Sequence, residues 1–506
     1  MLIWAGCYEN RNIFDFKAVD DTLSFILQHS YDEIDKGAGY ILNQHYEPTN
    51  RVGVTNDLSA FNIHEFNVLE DSQTALACAY RSEYVSLGDL GRPDEYGWVQ
   101  PGGFVELDIA TGLVLFEWSS VGHIALHESV KLDAWDAPAG QPGWDFLHVN
   151  AIDKNDAGDY LLSARFTNTI YLISGRDGSI LWRLGGKTSD FTQDFTFSKQ
   201  HHAHFLRRDL DAAANATVIT FLNNASDELE QAEDVSSALV VEIDVANQHA
   251  RVLRRHDRPD GGLTRLRGSV QPLPNENIFV GWSEGGYMSE HAPDGRVLLQ
   301  ARFISDWLST YRAYKFPFVG RPSEPPVLIS AIQDTETVFH VSWNGATDVH
   351  EWRFLRHASD SEEAAATGTT ISTARKADFE TVHIANGSFG YVSVEALDVD
   401  GNVLGTSEMQ VSNGWGPDMV QSLVADEIHA AEEEAQAESE QEAKEEEEAQ
   451  AQAQADVEAT AQARAFEMIR GVGGLLILLS AGMSIGFAVA WPWFRSYRYR
   501  QVPQEE

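Results

Sequence analysis

One phrase of sequence returns four times in altered form, and it limits the chain to a small set of folds. ELDIATGLVLFEW begins at Glu106, LISGRDGSILWRL at Leu172, EIDVANQHARVLRRH at Glu242 and SEHAPDGRVLLQARF at Ser289. Each reads as a strand rich in Val, Ile and Leu, a turn of Asp, Asn or Gly, and a second strand that often ends in an aromatic residue. A second set of hairpins alternates with the first: HEFNVLEDSQTALACAY, HVNAIDKNDAGDYLLSAR, HHAHFLRRDLDAAANATVITFLNN and GSVQPLPNENIFVGWS. Two hairpins per unit, at irregular spacings of roughly 50 to 80 residues, are the pattern of β-propeller blades. The fold class expected is therefore all-β, with a propeller over residues 1–321.

After Pro322 the pattern changes to strand pairs with a Trp343 core candidate and an Asp400-Gly401 turn. Residues 322–412 read as a small β-sandwich resembling a fibronectin type III module. Residues 413–470 contain a tract of Ala, Glu and Gln with no apolar stripe, the composition of a helical or disordered acidic stalk. Much of the net charge of −41 comes from it. Such an acidic chain is a poor partner for nucleic acid, whose phosphates need clustered Lys and Arg. Residues 471–494 carry no charged side chain, and about 20 such residues cross a hydrocarbon core of ~30 Å. They read as a transmembrane helix with Trp491 and Trp493 at its end.

Arg495, Arg498 and Arg500 put the tail, residues 495–506, in the cytoplasm, and the bulk of the chain in the lumen or outside the cell. Three sequons, at Asn215, Asn224 and Asn386, fit that placement as glycosylation sites. The opening MLIWAGCYENRNIFDF has no signal-peptide pattern, so the lumenal reading expects a start further upstream. The competing reading is a tail anchor with a cytosolic body, which glycans on those sequons would exclude. Cys7 and Cys78 are compatible with a disulfide or with two buried thiols. No CxxC or HExxH spacing occurs, so zinc is not expected, and no cofactor is assigned.

The polar residues of interest stand at strand ends. His64, His148 and His201 each open a hairpin of the second set, where a propeller would aim them at one mouth of its channel. The ordered series GAGYILNQHY, HEFNVLEDSQTAL, GWDFLHVNAI, LLSARFTNTIYLI, ILWRLGG, SKQHHAHFL, GSVQPLPNENIFVGWSEGG, YRAYKFPFVGRP and VSWNGATDVHEWR resembles the arylsulfotransferase family, in its eukaryotic, mainly fungal branch. The resemblance covers roughly residues 15 to 410. It implies a six-bladed propeller that moves a sulfuryl group from an aryl sulfate to a phenol through a sulfated histidine, without an adenylyl-sulfate donor. By the family's Gln-His motif, Gln200 is a substrate contact and His201 the nucleophile. His148 and Asn150 match its His-x-Asn, Arg165 its strand-end arginine and His64 an earlier channel histidine. These would hold the sulfuryl group, with His148 or His64 protonating the departing phenolate. Where the family has Gln-His-Asp-Ala-Arg, this chain has Gln200-His201-His202-Ala203-His204.

Two other classes compete: a non-catalytic propeller that binds a ligand or protein partner at the membrane surface, and a quinone- or metal-dependent propeller oxidoreductase. The oxidoreductase lacks a carboxylate-rich ligand set near the channel motifs. The binding propeller predicts a ligand that binds with His201 and Arg165 both dispensable.

Overall fold

The computed structural model describes residues 4, 6, 12–28, 36–53, 58, 60–69, 72–131, 140–206, 216–305, 308–361 and 367–414. Most of the acidic stalk, the 471–494 span, the 495–506 tail, Cys7 and Asn215 lie outside them. Among the described residues no helix is long and apolar enough to cross a membrane.

The recurring hairpins pair into consecutive four-stranded antiparallel sheets. The first sheet is β1 (Asn12–Val19), β2 (Thr22–Gln28), β3 (Ala38–Leu42) and β4 (Pro48–Val52). The second holds β5 (Phe66–Val68), β6 (Thr74–Tyr80), β9 (Gly102–Asp108) and β10 (Val114–Ser119), with the hairpin of β7 (Glu83–Leu87) and β8 (Arg92–Val99) inserted between β6 and β9. The third runs β11 (Val149–Lys154), β12 (Tyr160–Ala164), β13 (Thr169–Ile173) and β14 (Ile180–Gly185). The fourth adds a short edge strand β15 (Thr192–Gln193) to β16 (His201–Phe205), β17 (Ala216–Asn223), β18 (Ser237–Asp244) and β19 (His249–Asp257). The fifth is β20 (Ser269–Pro272), β21 (Ile278–Gly281), β22 (Met288–His291) and β23 (Val297–Ala301). The resemblance implied six blades; the described residues form five such sheets ahead of residue 322.

The turn residues explain the hairpins. In the β9–β10 turn the Asp108 carboxylate accepts from the Thr111 backbone N–H at 2.8 Å and from its hydroxyl at 2.6 Å, and in the β18–β19 turn Asp244 accepts from the Asn247 N–H at 3.0 Å. Burial follows strand position. β12 and β13 are buried at every residue, whereas β10 and β19 alternate with exposed positions, as outer strands should.

The core lies in the seams between sheets. Phe66, Val68, Ala75 and Val105 pack on Ile26 and Ile41 between the first and second sheets. Leu76, Phe104 and Trp118 pack on Phe146, Ile152 and Tyr160 between the second and third. Leu161, Ile170 and Leu184 meet Ala203, Ile219 and Phe221 between the third and fourth, and Leu222 and Val240 meet Val270, Val280 and Trp282 between the fourth and fifth. Each fully buried large apolar side chain contributes about 1.5–3 kcal/mol, so the seams hold the sheets face to face.

The strands β1, β5, β11, β16 and β20 lie on the inner side of their sheets and contact one another. Phe66 N–H donates to Asp15 on β1, Phe205 N–H to Asp153 on β11, Asn67 on β5 to the same Asp153, and Val270 N–H on β20 to His202 on β16. Face-packed four-stranded sheets with their first strands in mutual contact make a propeller-like arrangement.

The chain divides into two compact units. One takes in Met1–Ser330, Phe339–Ala385 and Gly390–Val411; the other takes in Ala331–Val338, Asn386–Phe389 and Ser412–Glu506. Beyond the five sheets, the first unit contains a sheet of strands Glu351–Arg356, Thr369–Arg375, Tyr391–Leu397 and Val403–Thr406, with Trp343 buried and donating to the Glu324 carbonyl at 2.6 Å. In the second unit Ala331 and Ile332 pair in parallel with Asn413 and Gly414, and the Thr337 hydroxyl donates to the Gly387 carbonyl.

Candidate active site

Three histidines on three sheets meet, and each is held by the same nitrogen. His64 stacks edge-on against His148 with ring centroids 4.8 Å apart. His201 lies close enough to both His64 and His148 to feel their charge, as does Arg165. The Arg165 backbone N–H donates to the His148 carbonyl at 2.9 Å, and its guanidinium lies 5.4 Å from the Phe166 ring, which packs on His148 at 4.6 Å. The fold thus brings together four of the groups that the motifs single out: His64, His148, Arg165 and His201.

Their ring partners decide what each imidazole can do. His201 Nδ1 faces two oxygens, Asn224 Oδ1 at 2.8 Å and the Lys199 carbonyl at 3.0 Å, so Nδ1 carries the proton. Its Nε2 keeps the lone pair and accepts the Arg267 backbone N–H at 3.3 Å. His64 donates from Nδ1 to Asn62 Oδ1 at 2.7 Å; that oxygen also accepts the His64 backbone N–H, which fixes the amide's orientation. His148 Nδ1 is 2.6 Å from Asp145 Oδ2. All three rings therefore turn Nε2 away from their anchors, but only His148 has a carboxylate partner.

Electrostatics separates them further. Burial, reinforced by Arg165, pushes the His201 imidazole well below its ordinary range, and burial with His148 and His201 does the same to His64. Both are neutral near pH 7. Non-glycine residues in the left-handed region gather here: His148 at φ 54°, Lys199 at 55°, His202 at 56° and Arg267 at 62°. Each costs on the order of 1 kcal/mol or more, a concentration found where structure is held for function. Gly268 follows Arg267 at φ 99°, and a Cβ there would stand 2.4 Å from Leu222. Only glycine allows residues 264–267 to cross His201 and then enter β20.

Several expected contacts come out differently. Gln200 Nε2 donates to the Ala164 and Thr169 carbonyls at 2.9 and 3.1 Å, bracing β16 to the third sheet, and its buried Oε1 has no hydrogen-bond partner among the described residues. Asn150 Nδ2 donates to the Gln200 carbonyl at 2.7 Å, leaving its buried Oδ1 without a partner among the described residues, so the open end of Asn150 is an acceptor. Asn224 is a correction: the residue expected to carry a glycan is fully buried, and its Nδ2 donates to the Thr264 and Arg267 carbonyls at 2.9 and 3.1 Å. A glycan on that nitrogen has no room in this fold. Asn386 is exposed. Cys78 is a buried thiol of the second sheet.

Beside the imidazoles lies an ionic cluster that the motifs do not announce. Arg312 donates to Asp15 at 2.8 Å, to both oxygens of Glu65 at 2.8 and 3.2 Å, and to the Asn150 carbonyl at 2.9 Å. Lys17 donates to Asp15 and Glu65, and Tyr314 to Asp15. The two imidazoles at the family's Asp and Arg positions belong here: His202 Nε2 is 2.9 Å from the Tyr314 hydroxyl, and His204 Nε2 is 3.3 Å from Glu65. A register shift between His201 and His204 separates the nucleophile candidate from this pair, whose rings stack at 4.2 Å. Burial would raise the Glu65 carboxyl, but Arg312, Lys17 and His204 outweigh it and hold it well below the carboxylate range. YRAYKFPF, the stretch that holds Arg312, stands out as a motif; its pairing does not. Among the described residues no cluster of His, Cys, Asp and Glu could hold a metal ion.

Comparison with known proteins agrees with the motifs. No curated protein matches the chain. Solved structures that match this chain include a protein of unknown function from Bacteroides caccae, 14% identical over 60% of this chain and 86% of that one, TM-score 0.34. Others are a virginiamycin B lyase from Staphylococcus aureus (7% identity, 77% and 92% covered, TM-score 0.30) and the major Malassezia sympodialis allergen Mala s 1 (10%, 75% and 96%, 0.30). The sequence model of the family described as arylsulfotransferase (ASST) matches residues 24–304, more than half of the 506-residue chain. The chain belongs to the arylsulfotransferase family.

Proposed function

We propose that the protein transfers a sulfuryl group from an aryl sulfate to a phenol by way of N-sulfated His201. The observation that carries this reading is the Nδ1–H···Oδ1 bond from His201 to Asn224, which leaves a neutral, buried imidazole with its lone pair on Nε2.

In the first half-reaction the Arg267 N–H gives up its bond to His201 Nε2, the freed lone pair attacks sulfur, the sulfur–aryl oxygen bond breaks, and its electron pair stays on the aryl oxygen. That oxygen takes a proton from His148 Nε2, the ring being oriented by the Asp145 carboxylate at Nδ1. Charge on the sulfuryl oxygens faces the Arg165 guanidinium, and the Arg267 N–H, 3.3 Å from Nε2, is near enough to donate to one of them. In the second half-reaction an acceptor phenol returns its proton to His148 and attacks sulfur, and the nitrogen–sulfur bond pair returns to His201. No adenylyl-sulfate donor enters. His64, neutral with its lone pair on Nε2, suits the acceptor's hydroxyl. The fuller reading adds residues 471–494 as a membrane anchor and 322–412 as a fibronectin type III-like module without catalytic groups.

The test is steady-state kinetics of the full chain with a nitrophenyl sulfate and a phenol. Parallel double-reciprocal lines are expected; intersecting lines or no nitrophenol release would contradict the reading.

A further inference from the structure

We infer that Asn224 is a positioning residue for this site: it sets His201 in the Nδ1–H tautomer and pins residues 264–267 across the reactive nitrogen. The inference rests on the transfer reading for its purpose, but its geometry stands apart from turnover. The Asn224 amide has one possible orientation, because Nδ2 faces two backbone carbonyls, Thr264 and Arg267, which only a donor can satisfy. Oδ1 must then face His201 as an acceptor, and an imidazole nitrogen facing an acceptor carries hydrogen. The Lys199 carbonyl, on the same nitrogen, demands the same tautomer.

The residue is itself locked. Its backbone carbonyl accepts the Ser236 hydroxyl at 2.6 Å, and that hydroxyl also accepts the Thr264 N–H at 2.7 Å. The hydroxyl of Thr264 donates to the Trp282 carbonyl at 2.8 Å. A chain of hydrogen bonds therefore runs from the fifth sheet through Thr264, Ser236 and Asn224 to His201 Nδ1. The consequence is directional: the imidazole can only offer Nε2, and it offers it to the segment carrying the Arg267 N–H. A His201 with its proton on Nε2 would carry its lone pair on Nδ1, against Asn224 and Lys199.

The experiment uses the full chain with 15N-labelled histidine, wild type and as Asn224→Asp and Asn224→Leu, with the His201 signals assigned by their loss in His201→Gln. Long-range proton–nitrogen spectra read the tautomer. Wild type is expected as Nδ1–H; in Asn224→Leu the Lys199 carbonyl is the one acceptor left at Nδ1 and residues 264–267 lose their tie, so a mixture of tautomers is expected, with kcat down at least about 100-fold and KM little changed. Asn224→Asp keeps an acceptor toward Nδ1 but turns its second oxygen onto the Thr264 and Arg267 carbonyls, so it should retain Nδ1–H while loosening residues 264–267. Its added negative charge should move the acid limb of the pH–rate profile upward, with activity recovering at higher pH. Wild type in the Nε2–H form, or Asn224→Leu with an unchanged tautomer and kcat, would overturn the inference. Should Asn224→Leu fail to fold, the wild-type tautomer and the Asn224→Asp profile still decide it. Absent turnover with an Asn224-dependent tautomer would defeat the transfer reading and leave the positioning intact.

Discussion

The imidazole cluster of His64, His148 and His201 and the ionic cluster of Asp15, Lys17, Glu65 and Arg312 draw on the same inner segments of the fold, and consecutive residues fall to opposite sides. His64 joins the imidazoles while Glu65 joins the ions; His201 joins the first while His202 and His204 join the second. The two clusters are paired in different ways. Every charge of the ionic cluster has an opposite charge within 3.3 Å, so removing one partner leaves a buried, uncompensated ion. In the imidazole cluster each ring is anchored at Nδ1, and Nε2 is not tied to any side chain of its own anchor. Rigidity and reactivity are thus allotted to neighbouring residues of the same inner segments.

The largest expected effect separates the clusters by activity. His201→Ala should reduce nitrophenol release by at least about 10³-fold, with little change in the thermal midpoint. A variant that still turns over would move the nucleophile elsewhere. Next, Arg312→Met should cost about 3–5 kcal/mol in denaturant unfolding, because the buried Asp15 and Glu65 are then left to share the single cation Lys17. A loss under about 1 kcal/mol would make the ionic cluster ordinary surface chemistry.

The pH dependence comes third. His64, His201 and His202 are all held below their ordinary 6.5 by burial, so the unfolded chain takes up protons that the folded chain refuses as the pH falls below 6.5. Stability should be flat from about pH 8 to 7. It should then fall by about 1.4 kcal/mol per pH unit for each such histidine, down to the folded pKa. Glu65 works in the same direction at lower pH: its depressed carboxyl contributes stability above its ordinary 4.5 that is lost as pH drops toward the folded value. Denaturant midpoints measured between about pH 8 and 4 check both, and a flat curve to about pH 5 would mean the imidazoles are hydrated. The smallest effect is chemical. In chain made by cells that glycosylate it, Asn386→Gln should remove a glycan with little change in stability, and Asn224 should carry none; a glycan found on Asn224 would contradict its place beside His201.

How much of this is legible in the sequence differs between hairpins and pairings. The four returning phrases are the outer hairpins of the second to fifth sheets, and the alternating set supplies the inner ones, because Asp, Asn and Gly turns and alternating apolar residues act locally. The first sheet is legible only in part, since IFDFKAVDDTLSFILQ shows strand composition without the repeated phrase. His64, His148, Arg165 and His201 are named by the motifs they match. Their partners are not, although Asn62-x-His64 and Asp145-x-x-His148 stand in the sequence as short spacings. Arg312 and Asn224 need the fold. Arg312 meets partners 247 and 297 residues away, and Asn224 sits in a sequon, a tripeptide that says nothing about burial.

In the proposed reaction sulfur passes through one nitrogen, His201 Nε2. Incubating the full chain with an aryl sulfate and no acceptor, then quenching in alkali and sequencing peptides by mass spectrometry, tests it most directly. The account predicts the mass of one sulfuryl group on the peptide at His201, discharged when a phenol is added. Release of nitrophenol with His201 unlabelled, or a label on another side chain, would contradict it.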